Sequence, residues 1–227
     1  MAQTKAIFSR ELFQFFRELG RNNHKAWMDE NRERYRTLLV EPFRELLARV
    51  APSVQHLNSG FVASGRVGEN FSRINRDIRF ARDKSPYRTQ MYLLFAEAGS
   101  EGGQLYAGIS AETVTSGFRI YSASRTSPLV QIGRPRAQEN TAWIERQRRR
   151  LGRKYDSYWY TSVKGEWTKH NGSPVNAEDW KKLQGWVVRR KFPTSLASRA
   201  VLPREIAKVF RDVYPLYEFT RSSKWKQ

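Results

Sequence analysis

The sequence predicts an α+β fold: N-terminal helices packed on a central antiparallel sheet, with mixed elements closing the chain. Three observations carry this expectation. Residues 9–55 repeat apolar side chains at helical spacing. Residues 91–121 hold three short runs of aromatic and β-branched residues, separated by glycine or polar pairs. Residues 142–213 mix short apolar runs with helix-start signals and show no internal repeat. The 227 residues fit one domain, 1–227, and are long enough to bury a core without covalent staples.

Taken in order, Ser9 is placed to cap a first helix with Glu11 in its first turn. Leu12, Phe13, Phe15, Phe16 and Leu19 give it a broad apolar stripe, and Gly20 ends it. Asn22 or Asn23 can cap a second helix, with Trp27, Tyr35, Leu38 and Leu39 on one side. Pro42, lacking an amide donor, interrupts or restarts that helix. Phe43, Leu46, Leu47 and Val50 continue the apolar face as far as Pro52. A polar loop with Gly60, Gly65 and Gly68 leads to an extended Phe71–Phe80 and a turn forced by Ser85-Pro86. Met91–Ala96, Leu105–Ser110 and Thr113–Tyr121 then form an antiparallel meander, and Pro128, Gly133 and Pro135 mark a polar connector. Ala142–Arg150 predicts a helix, Tyr158–Val163 a strand, and Asn176 with Glu178 and Asp179 a helix start. Trp186–Val188 reads as a short strand. Pro203 opens a last helix with Ile206, Val209, Phe210 and Val213 inward, and residues 220–227 read as a frayed basic tail.

Charge narrows the function classes. Lysine and arginine number 41 against 22 acidic residues, a net +19. Residues 151–227 alone hold sixteen basic and seven acidic residues, so nearly half the surplus lies in the last third. Such a balance points to a polyanionic partner. There is no cysteine, which excludes disulfides, thiol catalysis and zinc–thiolate sites. His24, His56 and His170 are too scattered to suggest a metal site. No apolar run has membrane-spanning length and no secretory signal is visible, so a soluble, cytoplasmic chain without membrane contact is expected. Walker, dinucleotide, nucleophile-elbow and zincin motifs are all absent, and no cofactor is implied.

Two constellations hold the chemistry. Arg73, Arg76, Arg79, Arg82, Lys84 and Arg88 crowd sixteen residues, interrupted by Asp77 and Asp83, with Tyr87 beside them. If the first half is extended, Arg73, Asn75, Asp77 and Arg79 share one face, and Ile74, Arg76, Ile78 and Phe80 the other. These residues fit a salt-bridged network tying the sheet to the helices, in which Arg79 would pair with a buried aspartate. They equally fit a phosphate or carboxylate site, with Asp77 or Asp83 as the weak candidates for a general base. Trp27 and Asn31, one turn apart, are either core residues or a pocket wall beside it. The second constellation comprises the basic runs Arg146, Arg148, Arg149, Arg150, Arg153, Lys154 and Lys181, Lys182, Arg189, Arg190, Lys191, with Tyr158 and Trp159 near the first. Aromatics among cations suit a single-stranded nucleic acid, whose bases stack while its phosphates pair. A solvated basic face with its aromatics turned inward fits the same residues.

Residues 71–89, FSRINRDIRFARDKSPYRT, resemble the pattern F-R-I-x-R-D-x-R-F-S-K-D-K-T-P-Y-K-T of the family called domain of unknown function 2461. Arg76, Asp77, Arg79, Phe80, Asp83, Lys84, Pro86 and Tyr87 stand at matching places. Residues 16–35, FRELGRNNHKAWMDENRERY, resemble its L-x-x-N-N-x-x-x-W-F-x-x-N-K-x-x-Y, and Leu105–Ile109 and Leu183–Val188 are weaker matches. The resemblance spans residues 8–215. Gln90 stands where many members have histidine, the glycine-rich turn after the sheet is reduced to Ser116-Gly117, and residues 152–175 depart most. The resemblance implies an α+β fold and supplies no reaction. The expected function is binding of a phosphate-bearing anion, nucleic acid first. The alternatives are an enzyme acting on a small phosphate- or carboxylate-bearing substrate at the Arg73–Arg88 motif, or an interaction protein meeting an acidic partner.

Overall fold

The computed structural model describes residues 5–79, 81–99, 102–122 and 125–221. Phe80 and residues 222–227 of the expected basic tail lie outside the described residues; Thr220 and Arg221 end a helix. The architecture is α+β. Helices α1 (Glu11–Arg21), α2 (Lys25–Glu30), α3 (Arg32–Tyr35) and α4 (Glu41–Leu57) come first, with a π-helical stretch Arg36–Val40 before α4. Strands β1 (Gln90–Phe95), β2 (Gln104–Ser110) and β3 (Val114–Tyr121) follow. Then come α5 (Arg134–Glu139), α6 (Thr141–Leu151), β4 (Asp156–Val163), β5 (Glu166–Asn171), α7 (Ala177–Lys182), β6 (Gly185–Phe192) and α8 (Leu202–Arg221). The strands form one antiparallel sheet in the order β1-β2-β3-β6-β4-β5.

The chain makes two compact units, both discontinuous. The first comprises Met1–Phe95, Ala107–Thr115 and Phe192–Lys208, and the second Ala96–Tyr106, Ser116–Lys191 and Val209–Gln227. In the first, the stripe Leu12, Phe15, Phe16 and Leu19 of α1 is fully buried, as are Phe43, Leu46, Val50 and Val54 of α4. The Phe8 and Phe43 rings meet edge to face at 5.2 Å. The second is built around tryptophans: Trp180 meets Trp186 at 5.2 Å, Trp186 meets Phe118 at 5.8 Å, and Trp143 stacks on Phe219 at 4.5 Å. Indole and phenyl rings bury the most apolar area per residue, so few of them suffice.

Several element boundaries differ from the sequence expectations for identifiable reasons. Helix α1 starts at Glu11, and the Ser9 hydroxyl donates to the Glu11 carboxylate at 3.3 Å instead of capping an amide. Neither Asn22 nor Asn23 caps α2: His24 does, its Nδ1 accepting from the Trp27 amide at 3.3 Å. Pro42 does restart a helix, but α4 passes through Pro52 to Leu57. Buried Val50, Ala51 and Val54 hold both sides of that proline in helical register despite the lost amide donor. The connector at 128–135 is helical: a π-helical stretch, Leu129–Gly133, runs into α5, and Pro135 sits in the first turn of α5, where a proline is tolerated. Strand β5 was not foreseen. Its residues are nearly all solvent-exposed, so it lacks the apolar alternation that identifies a strand.

Candidate functional site

The family-like segment of the first unit is an irregular antiparallel ribbon. The Ser72 amide donates to the Tyr92 carbonyl at 3.0 Å, Arg88 to Ile74 at 2.8 Å, and Arg76 to Pro86 at 2.8 Å. Phe71 pairs with Leu93 and Asn75 with Tyr87, so three residues between the bridges on one side oppose five on the other. The extended backbone produces the expected alternation: Arg73, Asn75, Asp77 and Arg79 face solvent, while Ile74, Arg76 and Ile78 are half-buried. No helix runs through the described part of residues 81–90. The turn expected at Ser85-Pro86 is not there: the Pro86 carbonyl accepts from the Arg76 amide and Tyr87 bridges Asn75 as part of the extended ribbon, and the chain bends at Arg82 and Asp83 instead.

Within the ribbon the charged residues divide into two kinds. Arg76, its side chain 25% exposed, donates from Nη1 to the Asp83 carboxylate at 2.5 Å and to the Ser85 carbonyl at 3.1 Å. Asp83 also accepts from the Ser85 amide at 2.9 Å. Hydrogen bonds from Ser85, and then from Arg76, hold the Asp83 carboxyl down to about 2. A base that weak abstracts protons poorly near neutrality, so the observed job of Asp83 is to fix the loop. Lys84 Nζ closes the same loop on the Ile78 carbonyl at 3.1 Å. Arg79 pairs with Asp77 at 2.7 Å, but both side chains are largely exposed, 77% and 61%. The aspartate that pairs with Arg79 is therefore exposed, not buried as expected, and a solvated pair two residues apart contributes little to stability. The Arg79 guanidinium holds the Asp77 carboxyl below its ordinary range. By contrast, the side chains of Arg73, Arg82 and Arg88 have no ion pair among the described residues.

Asn23 ties this ribbon to the helices. Its Nδ2 donates to the Tyr87 carbonyl and its Oδ1 accepts from the Tyr87 amide, both at 2.9 Å. Arg76, Asp83, Tyr87 and Arg88 line a polar hollow of about 380 Å³ together with Gly20, Asn23, Ser85, Thr89 and Gln90. Arg73 lines a different hollow, of about 250 Å³. Arg79, Arg82, Lys84, Trp27 and Asn31 line neither. Trp27 is half-buried against Phe15 at 5.5 Å, and the Asn31 amide is taken up by the Trp27 carbonyl and by Arg34.

The basic runs of the second unit are partly neutralised where they stand. Arg148 pairs with Glu145 at 2.7 Å, Lys181 with Glu178 at 2.6 Å and Lys191 with Asp156 at 2.9 Å. Arg150 donates to Gln147 and to the Asp212 carbonyl. Arg190 is half-buried, whereas Arg146, Arg149, Arg153, Lys154 and Lys182 are exposed and make no ion pair among the described residues. Trp159 is 7% exposed and stacked on His170 at 4.2 Å, so its ring is not offered to a base. Adjacent strand residues point to opposite faces, and Tyr158 accordingly sits on the other side of β4.

On that other side the structure brings the expected Tyr158 and Arg189 together with Tyr121, Tyr160, Trp167 and Lys169, which were not among the expected contacts. Strand register places Tyr158 opposite Val187 and Asn171, Tyr160 opposite Gly185 and Lys169, and Ser162 opposite Trp167. Tyr160, Trp167 and Tyr121 of β3 form a triangle with ring centres 5.7, 6.1 and 6.3 Å apart. Tyr121 is 40% and Trp167 50% exposed. Tyr158 lies edge-on to Tyr160 at 5.8 Å, with Lys169 Nζ 4.4 Å and the Arg189 guanidinium 4.9 Å from its ring centre. Gly185 makes this closure possible, since a β-carbon there would come within 2.5 Å of the Tyr121 ring. Two signals could have located the surface. One is the period of two, which joins Tyr158 to Tyr160 rather than to Trp159. The other is Lys164-Gly165, both at positive φ (52° and 83°), a two-residue turn that folds Trp167 back beside β4.

Among the described residues there is no cluster of metal-ligating side chains, and no helix is long and apolar enough to cross a membrane. No curated protein matches the chain. The family described as conserved hypothetical protein (DUF2461) matches residues 11–219, which take in both the Asn23-bound ribbon and the aromatic sheet face, and the chain belongs to that family.

Proposed function

We propose that the protein binds single-stranded nucleic acid on the open sheet face of its second unit. The observation that carries this reading is the Tyr121–Tyr160–Trp167 triangle, with Tyr121 and Trp167 exposed and Tyr160 half-buried, next to the Tyr158 ring on which Lys169 and Arg189 lie. Large rings left in water lose the burial that normally stabilises them, so two exposed rings in contact with each other and with half-buried Tyr160 mark a surface built for a partner. Flat rings accept any base by stacking, and cations at their edge meet the phosphates that come with it. The exposed cations Arg146, Arg149, Arg153, Lys154 and Lys182 extend the attraction without setting position.

Fluorescence anisotropy with a labelled oligonucleotide across a salt series tests the reading. Four phosphate contacts give a log–log slope of about −3, at roughly −0.7 per contact. Trp167→Ala and Tyr160→Ala each weaken binding by roughly 1–3 kcal/mol, the worth of a stacked base. Binding that is unchanged in both variants, or absent at low salt, rejects it.

A further inference from the structure

We propose that the smaller hollow of the first unit is a binding site for a small carboxylate with a compact apolar body. It is independent of the sheet face, since every residue lining it belongs to the first unit. Its volume is about 250 Å³. That lies just under the roughly 300–1,000 Å³ of drug-sized sites, which suits a molecule of one ring rather than a nucleotide.

The lining separates into a floor and a charged rim. Phe71 and Met91, each 3% exposed, form the floor with Val40 and Ile74. Val67 adds an apolar wall although it is 62% exposed. At the rim stand Arg44 from α4 and Arg73 from the ribbon, both exposed and neither with an ion pair or side-chain hydrogen bond among the described residues. Tyr35 joins them, half-buried, its hydroxyl without a hydrogen-bond partner among the described residues. No acidic side chain lines the hollow. The carboxylates near these residues in sequence are engaged elsewhere: Glu33 and Glu41 by Arg36, Glu45 by Arg49, Glu69 by the Ser64 hydroxyl and Arg66, and Asp77 by Arg79.

On this unit's helices Arg32, Arg34, Arg36 and Arg49 each have an acidic partner, whereas Arg17, Arg21, Arg44 and Arg204 make no ion pair among the described residues; of these four, only Arg44 lines the hollow. Two guanidiniums left over one apolar floor, with a phenol between the same walls, lack only the anion. Guanidinium forks match a planar carboxylate in bidentate geometry. The floor then selects for an apolar body, which inorganic anions do not have.

Backbone amide NMR of the whole protein, titrated with benzoate, benzyl alcohol and inorganic phosphate, tests this. Benzoate should shift the amides of residues 65–75 saturably, while benzyl alcohol and phosphate should not. Arg44→Gln and Arg73→Gln should each weaken benzoate about tenfold, the effect of one lost charge-assisted contact. Both side chains are solvent-exposed, so the variants should keep the parent melting temperature. Arg88→Gln, in the other hollow, should leave benzoate binding unchanged. Absence of saturable shifts at residues 65–75, equal shifts with phosphate, or equal weakening by Arg88→Gln would overturn the proposal.

Discussion

Asn23 commits both ends of its side-chain amide to one peptide unit, that of Tyr87. It copies what a neighbouring strand would do and so joins the turn between α1 and α2 to the ribbon. Asn23→Ala leaves a part-buried donor and acceptor unmatched and should destabilise the protein by about 1–3 kcal/mol in urea unfolding. The sequence shows three consecutive acceptors, Asn22, Asn23 and His24, any of which suits a helix start. Which one meets the Trp27 amide and which turns to Tyr87 depends on a contact 64 residues away, and this is why the cap was misplaced. Asp83 offers a pH readout. Its folded pKa lies below the ordinary carboxylate range, held there by Ser85 and Arg76, so its stabilising contribution is complete above that range. The contribution is lost as the pH falls through about 2. An NMR titration of the Asp83 carboxyl should give a midpoint of about 2, moving upward in Arg76→Ala; a midpoint in the ordinary range would contradict the loop geometry.

At the scale of elements, glycine positions decide how closely strands and rings approach. A β-carbon at Gly117 would lie 2.1 Å from the Val188 carbonyl oxygen and 2.7 Å from the Arg189 Cα. Both obstacles are backbone, so Gly117→Ala should destabilise by about 3 kcal/mol or more in thermal unfolding. At Gly185 the obstacle is the Tyr121 ring, which is partly exposed and can swing away. Gly185→Ala should therefore keep the fold, change the near-ultraviolet circular dichroism of the aromatic triangle, and weaken oligonucleotide binding. The strands of residues 90–121 were legible because their interiors are buried on both faces and their residues are β-branched or aromatic. Strand β5 was not, since a strand that faces water carries no hydrophobic pattern to read. The aromatic face depends on β5 and on strand register, so it could not be assembled from sequence neighbours alone.

For the molecule as a whole, the charge of +19 and its excess in the last third were plain in the sequence, but which cations are paired was not. Of the eleven cations in the two basic runs, Arg148, Lys181 and Lys191 pair with carboxylates three residues away or across a strand. What remains is a surplus that repels itself, and moderate salt screens it over a Debye length of about 10 Å at 0.1 M. The melting temperature should rise between about 0.01 M and about 0.15 M sodium chloride, the same interval over which oligonucleotide affinity falls. A falling melting temperature in differential scanning fluorimetry would mean that the exposed ion pairs outweigh the surplus.

The way the units share the chain has a consequence for how the protein is made. The first unit needs Phe192–Lys208, yet nearly all of the second unit, Ala96–Tyr106 and Ser116–Lys191, is synthesised before that segment. Helix α8 then crosses from the first unit to the second at Lys208 and Val209. A ribosome delivering residues in order completes neither unit until this one helix emerges, so both wait on the same late event. Stalling anywhere before Leu202 leaves two unfinished cores together, and the burden on chaperones falls on the final stretch of translation rather than on its first half.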